Sequence, residues 1–231
     1  INLDLRLSAA HATAGTIQIQ LGALSGFGSS SSYTLLTAPS GLSGASYSLT
    51  AAPGGYTYSF TTSDSLVQVD VNAAPTGDTL YWRGNLGGGS WSAFSGSSTN
   101  WWLTSDGTTT NAGFNPSVTN SAVFSTSNNA GGAITTTLDG NYSIKDLSFN
   151  ALSASPTSSV TVNPGTVPSA SLTLTPAAST AGISIAAGAV TTGVTINAAV
   201  VLGGVQTWTV ADANTVLAVN GIVSGGQPNS T

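Results

Sequence analysis

Apolar and polar side chains alternate with a period of two along several stretches of this chain, at residues 1–7, 16–21, 56–60 and 66–71. Successive side chains of a strand point to opposite faces, so this alternation predicts strands with one buried face. Between them stand clusters of Gly, Ser, Pro and Asn, as at residues 25–32, 52–55 and 87–89, which are turn chemistry. No stretch carries an apolar stripe at helical spacing, and the strong helix formers Glu, Lys, Gln, Arg and Met are scarce or missing. The expected class is all-β.

The last third carries a repeat. Aliphatic-led pairs recur at Leu172/Leu174, Ile183/Ile185, Val194/Ile196, Val205/Thr207 and Val216/Ala218, each beginning 11 residues after the one before. The residues between are mostly Ala, Gly, Thr, Asn and Ser, which suit tight corners. Strands this short cannot bury an apolar face alone and must stack, which predicts a β-solenoid, parallel β-helix-like, with strands about 4.8 Å apart and inward aliphatic ladders. Doubling the spacing predicts a rung of two strands and about 22 residues. A meander of antiparallel hairpins at the same spacing is the alternative.

Aromatic residues concentrate upstream, which divides the chain into residues 1–76, residues 77–150 and the repeat segment 151–231. The first two parts are expected to be rich in antiparallel hairpins, the second as a Trp-rich junction or cap. The second part contains Trp82 followed by Gly84, Asn100-Trp101, Val123-Phe124, Leu138, and Ile144 with Leu147 and Phe149. At these positions the chain resembles the passenger regions of bacterial autotransporters and related giant surface proteins built from autotransporter-associated β-strand repeats. Residues 205–210 and 217–225 are similar to a coil of such passengers, and residues 33–69 look like the closing portion of a preceding unit. The resemblance implies an extracellular or cell-surface bacterial scaffold, such as a fibre, stalk or adhesin.

Composition narrows the chemistry. Only 5% of the 231 residues are charged, with eight Asp, no Glu, three basic residues (Arg6, Arg83, Lys145) and one His, for a net charge of −5. Ser (35), Thr (33) and Gly (28) fill much of the rest, yet 40% of the chain is hydrophobic, too much for a disordered segment. Cys and Met are both absent, which excludes disulfides, thiol nucleophiles and thiolate metal sites and suits export into an oxidising medium. Residues 1–7 lack the form of a signal peptide and nothing approaches 18 consecutive apolar residues, so no membrane insertion by this segment is expected. Without an initiator Met, the chain reads as an excerpt of something longer. Three basic residues cannot neutralise the phosphates that nucleic-acid binding requires.

Candidate sites are few. A serine triad would need His11, and no Gly-x-Ser-x-Gly elbow accompanies it. A glycosidase pair would use Asp139 and Asp146, with solvated turn residues as the plainer reading, since Asp139-Gly140 suits a hairpin turn. One His and no Cys exclude a zinc site, Asp106-Gly107 is the turn at which a Ca²⁺ would be sought, and residues 84–89 lack the Gly-Lys-Thr of a phosphate loop. No cofactor, metal or catalysis is therefore expected. Trp82, Trp91, Trp101 and Trp102 either stack sugar rings or seal a junction, and adjacent Trp101 and Trp102 must face opposite ways on a strand. Ile1, Leu3, Leu5 and Leu7 form the apolar row of a strand that could complete the sheet of a neighbour. The expected partners are copies of this chain and surface glycans.

Overall fold

The computed structural model describes residues 15–22, 28, 30–129, 131–152, 157–165 and 170–225, and it is all-β, with parallel and antiparallel sheets and one short 3₁₀ turn. The expected strand at residues 1–7, with Ile1, Leu3, Leu5 and Leu7, lies outside the described residues, as do His11 and residues 226–231.

The first region holds β1 (Thr16–Gln20), β2 (Ser31–Thr37), β3 (Ser46–Ala51), β4 (Tyr56–Thr62) and β5 (Leu66–Ala73). β5 lies between β2 and β4 in an antiparallel sheet, while β1 pairs with β3 in parallel. The alternation does what it predicts in β5: Val67, Val69 and Val71 are buried and Gln68, Asp70 and Asn72 are not. The two sheets pack on each other through Ile19 and Leu49 on one side and Val69 and Val71 on the other. Tyr47 and Tyr58 flank this core, and each donates its hydroxyl proton five residues back, to Leu42 O and Pro53 O, both at 2.8 Å.

The second region begins with β6 (Thr79–Trp82), the short hairpin β7 (Phe94–Ser95) and β8 (Ser98–Thr99), and β9 (Trp101–Trp102), which pairs antiparallel with β6. From there every strand pairing is parallel. The strands are β10 (Ser121–Phe124), β11 (Gly132–Thr137), β12 (Tyr142–Ile144), β13 (Asp146–Phe149), β14 (Thr157–Asn163), β15 (Ser171–Leu174), β16 (Ala181–Ile185), β17 (Val190–Ile196), β18 (Ala199–Leu202), β19 (Thr207–Val210), β20 (Val216–Val219) and β21 (Val223–Gly225). Successive strands visit three sheets in turn: β6-β10-β13-β16-β19, β11-β14-β17-β20 and β12-β15-β18-β21.

Two expectations change here. Parallel pairing already joins β1 to β3 in the first part, and from β10 on, inside the second part expected to be hairpin-rich, every pairing is parallel, because Ser121–Phe124 and Asp146–Phe149 are separated by two whole strands that lead the chain away and back. The 11-residue pairs at Leu172, Ile183 and Val194 fall on β15, β16 and β17, which belong to three different sheets, so each circuit uses three strands rather than two. The chain returns to the same sheet position after 36 residues from Leu147 to Ile183 and after 23 from Val194 to Leu217. The fixed spacing also breaks where the corner Asn197-Ala198 admits the extra strand β18. Val205 and Val216 are thereby left exposed, and Trp208 and Leu217 take the positions below Ile183 and Val194.

Register turns the alternation into columns. Leu80, Ala122, Leu147, Ile183 and Trp208 stack in the first sheet, Ile134, Val160, Val194 and Leu217 in the second, and Tyr142, Leu172, Val200 and Val223 in the third. Most of these side chains belong to one buried cluster that extends across residue 150, where a boundary was expected. Each fully buried aliphatic contributes about 1.5–3 kcal/mol relative to exposure. One corner carries a polar ladder as well: Asn197 Nδ2 donates to Asn163 Oδ1 at 2.8 Å, and Asn220 Nδ2 to Asn197 Oδ1 at 2.9 Å. Amides repeating at one corner satisfy each other, the arrangement that stabilises stacked Asn rows generally.

Candidate functional site

Three places in the fold gather the side chains that chemistry or recognition would use. The first is the closed end of the parallel sheets. Trp82 comes from β6, Trp101 from β9 and Trp91 from the loop between β6 and β7, and all three are buried with Phe124. Trp101 meets Trp82 and Trp91 edge to face, each with ring centroids at 5.0 Å, and Phe124 stacks on Phe149 at 5.5 Å. Trp101 Nε1 donates to Trp91 O at 3.3 Å. The loop that delivers Trp91 lies against β11: Gly89 has φ +68°, and a Cβ there would sit 2.4 Å from Thr135 O, so only glycine permits the approach. The Gly-rich loop that superficially suggested phosphate binding thus serves packing.

Of the four tryptophans weighed as a sugar platform, Trp82, Trp91 and Trp101 have no ring face open to solvent, because the ends of the core columns need large side chains above them. Trp102 is partly exposed, opposite in direction to Trp101 as strand geometry requires. The Arg83 guanidinium lies over its ring at 5.5 Å and donates from Nη1 to Gly107 O. Beside it, Asp106 closes its own loop: Oδ1 accepts from Thr104 Oγ1 at 2.6 Å and from the backbone N–H of Thr108 at 2.8 Å. These bonds, Thr104 first, hold its carboxyl far below the usual range. Asp106 thus anchors its own loop, and no group of three acidic, His or Cys side chains that could hold a metal ion occurs among the described residues.

The second place is a cleft of about 780 Å³ where the two regions meet, walled by residues 53–56 from one side and by residues 116–119 and 139–143 from the other. Asp139 faces it. Its Oδ2 accepts from Ser90 Oγ, from Ser92 Oγ at 2.6 Å and from Ser92 N at 3.2 Å. Asp139-Gly140 therefore turns a corner between β11 and β12, which do not pair, rather than a hairpin. Tyr142 is buried here, and burial first, then the charge of Asp139, pushes its hydroxyl well above its ordinary value. Asp146 belongs elsewhere: it begins β13, accepts from Ser121 Oγ at 2.8 Å and lies 4.0 Å from Lys145 Nζ. The two carboxylates share no hydrogen-bond partner among the described residues, so the structure does not join them in one site.

The third place is the opposite end of the parallel sheets. β19, β20 and β21 each have a paired neighbour on one side alone among the described residues. Five of the six large apolar residues that are exposed in the described structure lie here: Val205, Val210, Val216, Ile222 and Val223. Sequence reasoning missed this end, the Asn ladder and the serines around Asp139. Recurrence of Asn at 163, 197 and 220 was the available signal for the ladder. The other two depend on which strand comes last and which loop crosses the junction.

No family model, no curated protein and no solved structure matches this chain.

Proposed function

We propose that this chain is a structural segment of an extracellular or cell-surface protein, a β-solenoid that serves as fibre, stalk or adhesin scaffold and joins copies of itself through β-strand addition. The observation that supports this reading is the continuity of the core columns and of the Asn163–Asn197–Asn220 ladder through successive circuits of parallel strands. Hydrogen bonds between stacked strands run along such a body and make it stiff, and a cap at one end is what a stack of this kind requires. With 5% charged residues there is little Coulomb repulsion to keep neighbouring rods apart and little for salt to screen. The resemblance to autotransporter passengers, carried by Trp82, Gly84, Trp101, Phe124 and Phe149, points to the same location and role. In this reading Ile1, Leu3, Leu5 and Leu7 are the apolar row of the added strand, and the chain is a scaffold without catalysis or cofactor.

Electron microscopy of the purified chain at rising concentration tests the reading. The expected result is rods joined end to end, with fewer joints when residues 1–7 are deleted. Single particles at every concentration would sink the self-assembly part. A carbohydrate-binding module is the second reading, favoured by the partly exposed Trp102 and the cleft at Asp139. It requires glycan binding that is lost in Trp102→Ala or Asp139→Asn while the fold is kept.

A further inference from the structure

The two ends of the parallel sheets differ in a way that identifies an acceptor. At one end β9 covers the edge of β6, and the loop before β7 covers β11 by exchanging hydrogen bonds between Gly89, Trp91 and Thr137, so that β12 alone of the three first strands keeps a bare edge there among the described residues. At the other end the core columns stop on Trp208, Val210, Leu217, Val219 and Val223, none of which is buried. Sheet edges in natural proteins are guarded by Lys, Pro, inward charges or bulges. Residues 203–225 contain no Lys, Arg or Pro and one charge, Asp212. The Asn ladder is also open, since Asn220 Oδ1 accepts no hydrogen bond among the described residues.

We propose that this end, formed by β19, β20 and β21, is the acceptor for residues 1–7 of a second copy, which add to it as a further strand. The inference rests on the reading of the chain as a self-assembling scaffold and names the surface that reading leaves open. The occupant is chosen on three grounds. Residues 1–7 alternate strictly, with four aliphatic side chains on one face and Asn2, Asp4 and Arg6 on the other, so one face continues the core columns while the other stays in water. Seven residues are enough to run beside any one of these edge strands, which have four, four and three residues and belong to three sheets. β1, into which this segment leads, belongs to the core that adjoins the closed end, through the bridge between Ala51 and Ala93 and the burial of Phe94. β1 and the acceptor edges then lie at opposite ends of the described structure, and a strand given by one copy to the acceptor of the next makes a heterologous contact that propagates into filaments.

The chain has no Cys, which makes cross-linking clean. One preparation carries Leu5→Cys and a second carries Trp208→Cys, Leu217→Cys or Val223→Cys, and each pair is mixed and mildly oxidised. The expected result is a disulfide-linked heterodimer for at least one of the three pairs, with Asp4→Cys in the donor giving none. A parallel variant, Val210→Lys with Val216→Lys and Val223→Lys, all exposed and one on each edge strand, is expected to lose end-to-end assembly while its circular dichroism and melting stay those of the parent. Filaments that form normally with the lysine variant, and no cross-link in any pair, would overturn the acceptor while leaving self-assembly standing. Closed dimers cross-linked by Val223→Cys alone would overturn it in favour of two like ends meeting, and an intramolecular disulfide in a single chain carrying both Leu5→Cys and one of the three acceptor cysteines would overturn it in favour of self-capping. If the parent chain never assembles and no pair cross-links, both the acceptor and the broader reading fall.

Discussion

Residues 15–74 and residues 79–225 are both all-β, yet they bury their strands by different means. In the first region two small sheets face each other, and Tyr33, Tyr47, Tyr56, Tyr58 and Phe60 flank a handful of aliphatics. In the second, aliphatic columns repeat in three sheets and aromatics appear where the stack must be closed. A finite sandwich needs large side chains to fill a short core, whereas each strand of a stack is buried by the strands before and after it. Charge is also uneven along the second region. The first region holds Asp64 and Asp70 and residues 79–150 hold Arg83, Asp106, Asp139, Lys145 and Asp146, while the stretch from β14 to the last described residue has Asp212 as its one ionisable side chain.

The sharpest way to break this comparison is at the seal. Trp101→Ala removes a fully buried ring that touches Trp82, Trp91 and Phe124, and should cost about 3–5 kcal/mol in urea unfolding followed by tryptophan fluorescence. A loss near zero would mean that the closed end does not hold the stack. Next, Leu172→Ala, fully buried between Tyr142 and Val200, should cost about 2–5 kcal/mol and lower hydrogen-exchange protection in β12, β15 and β18 together. Leu49→Ala should cost about as much but strip protection from residues 16–73 first. Simultaneous loss in both regions would show a single cooperative unit instead.

Titration should separate the regions more gently. Asp64 is held below the usual carboxylate range by the Gly41 N–H and then Ser43, and Asp70 by Ser32 and then Thr61. A depressed folded pKa contributes above the unfolded value of about 4 and is lost as the pH falls through the folded one, so acid should loosen the first region and the Asp106 loop of the second before the columns of residues 157–225. Burial raises Tyr58, with Tyr56 adding to it, and raises Tyr142 at the junction. Their contribution is full below the unfolded value of about 10 and is lost as the pH rises through the folded one, so alkali should open the same region and its junction. Melting curves from pH 2 to 12, read by exchange or by near-ultraviolet dichroism, check both limbs, and a stack that melts first at either extreme would contradict them. The smallest effect is expected for Val210→Ala at the open end, within about 1 kcal/mol, because a half-exposed side chain with nothing below it leaves no closed cavity.

The all-β class and most inward faces were legible in the chain itself, because a period of two has one structural meaning and Leu66 to Val71 obeys it residue by residue. The 11-residue repeat was legible as stacking but misleading as a rung, since equal spacing along the chain does not say how many sheets the chain visits before it returns. Trp101 and Trp102 had to part company on a strand, yet nothing local said which ring would be buried. That was decided when β9 laid Trp101 over the end of the columns and left Trp102 to Arg83.

Alternation, turn residues and the scarcity of charge thus determined by themselves that this is a low-charge β protein with half-buried strands, because those properties depend on each residue and its near neighbours. Which sheet a strand joins, that Asp139 is held by Ser90 and Ser92 across the junction, and that one end is largely covered while the other leaves all three edges bare were decided only by the tertiary structure. Those contacts join residues tens of positions apart, and burial at the end of a stack depends on whether another strand follows.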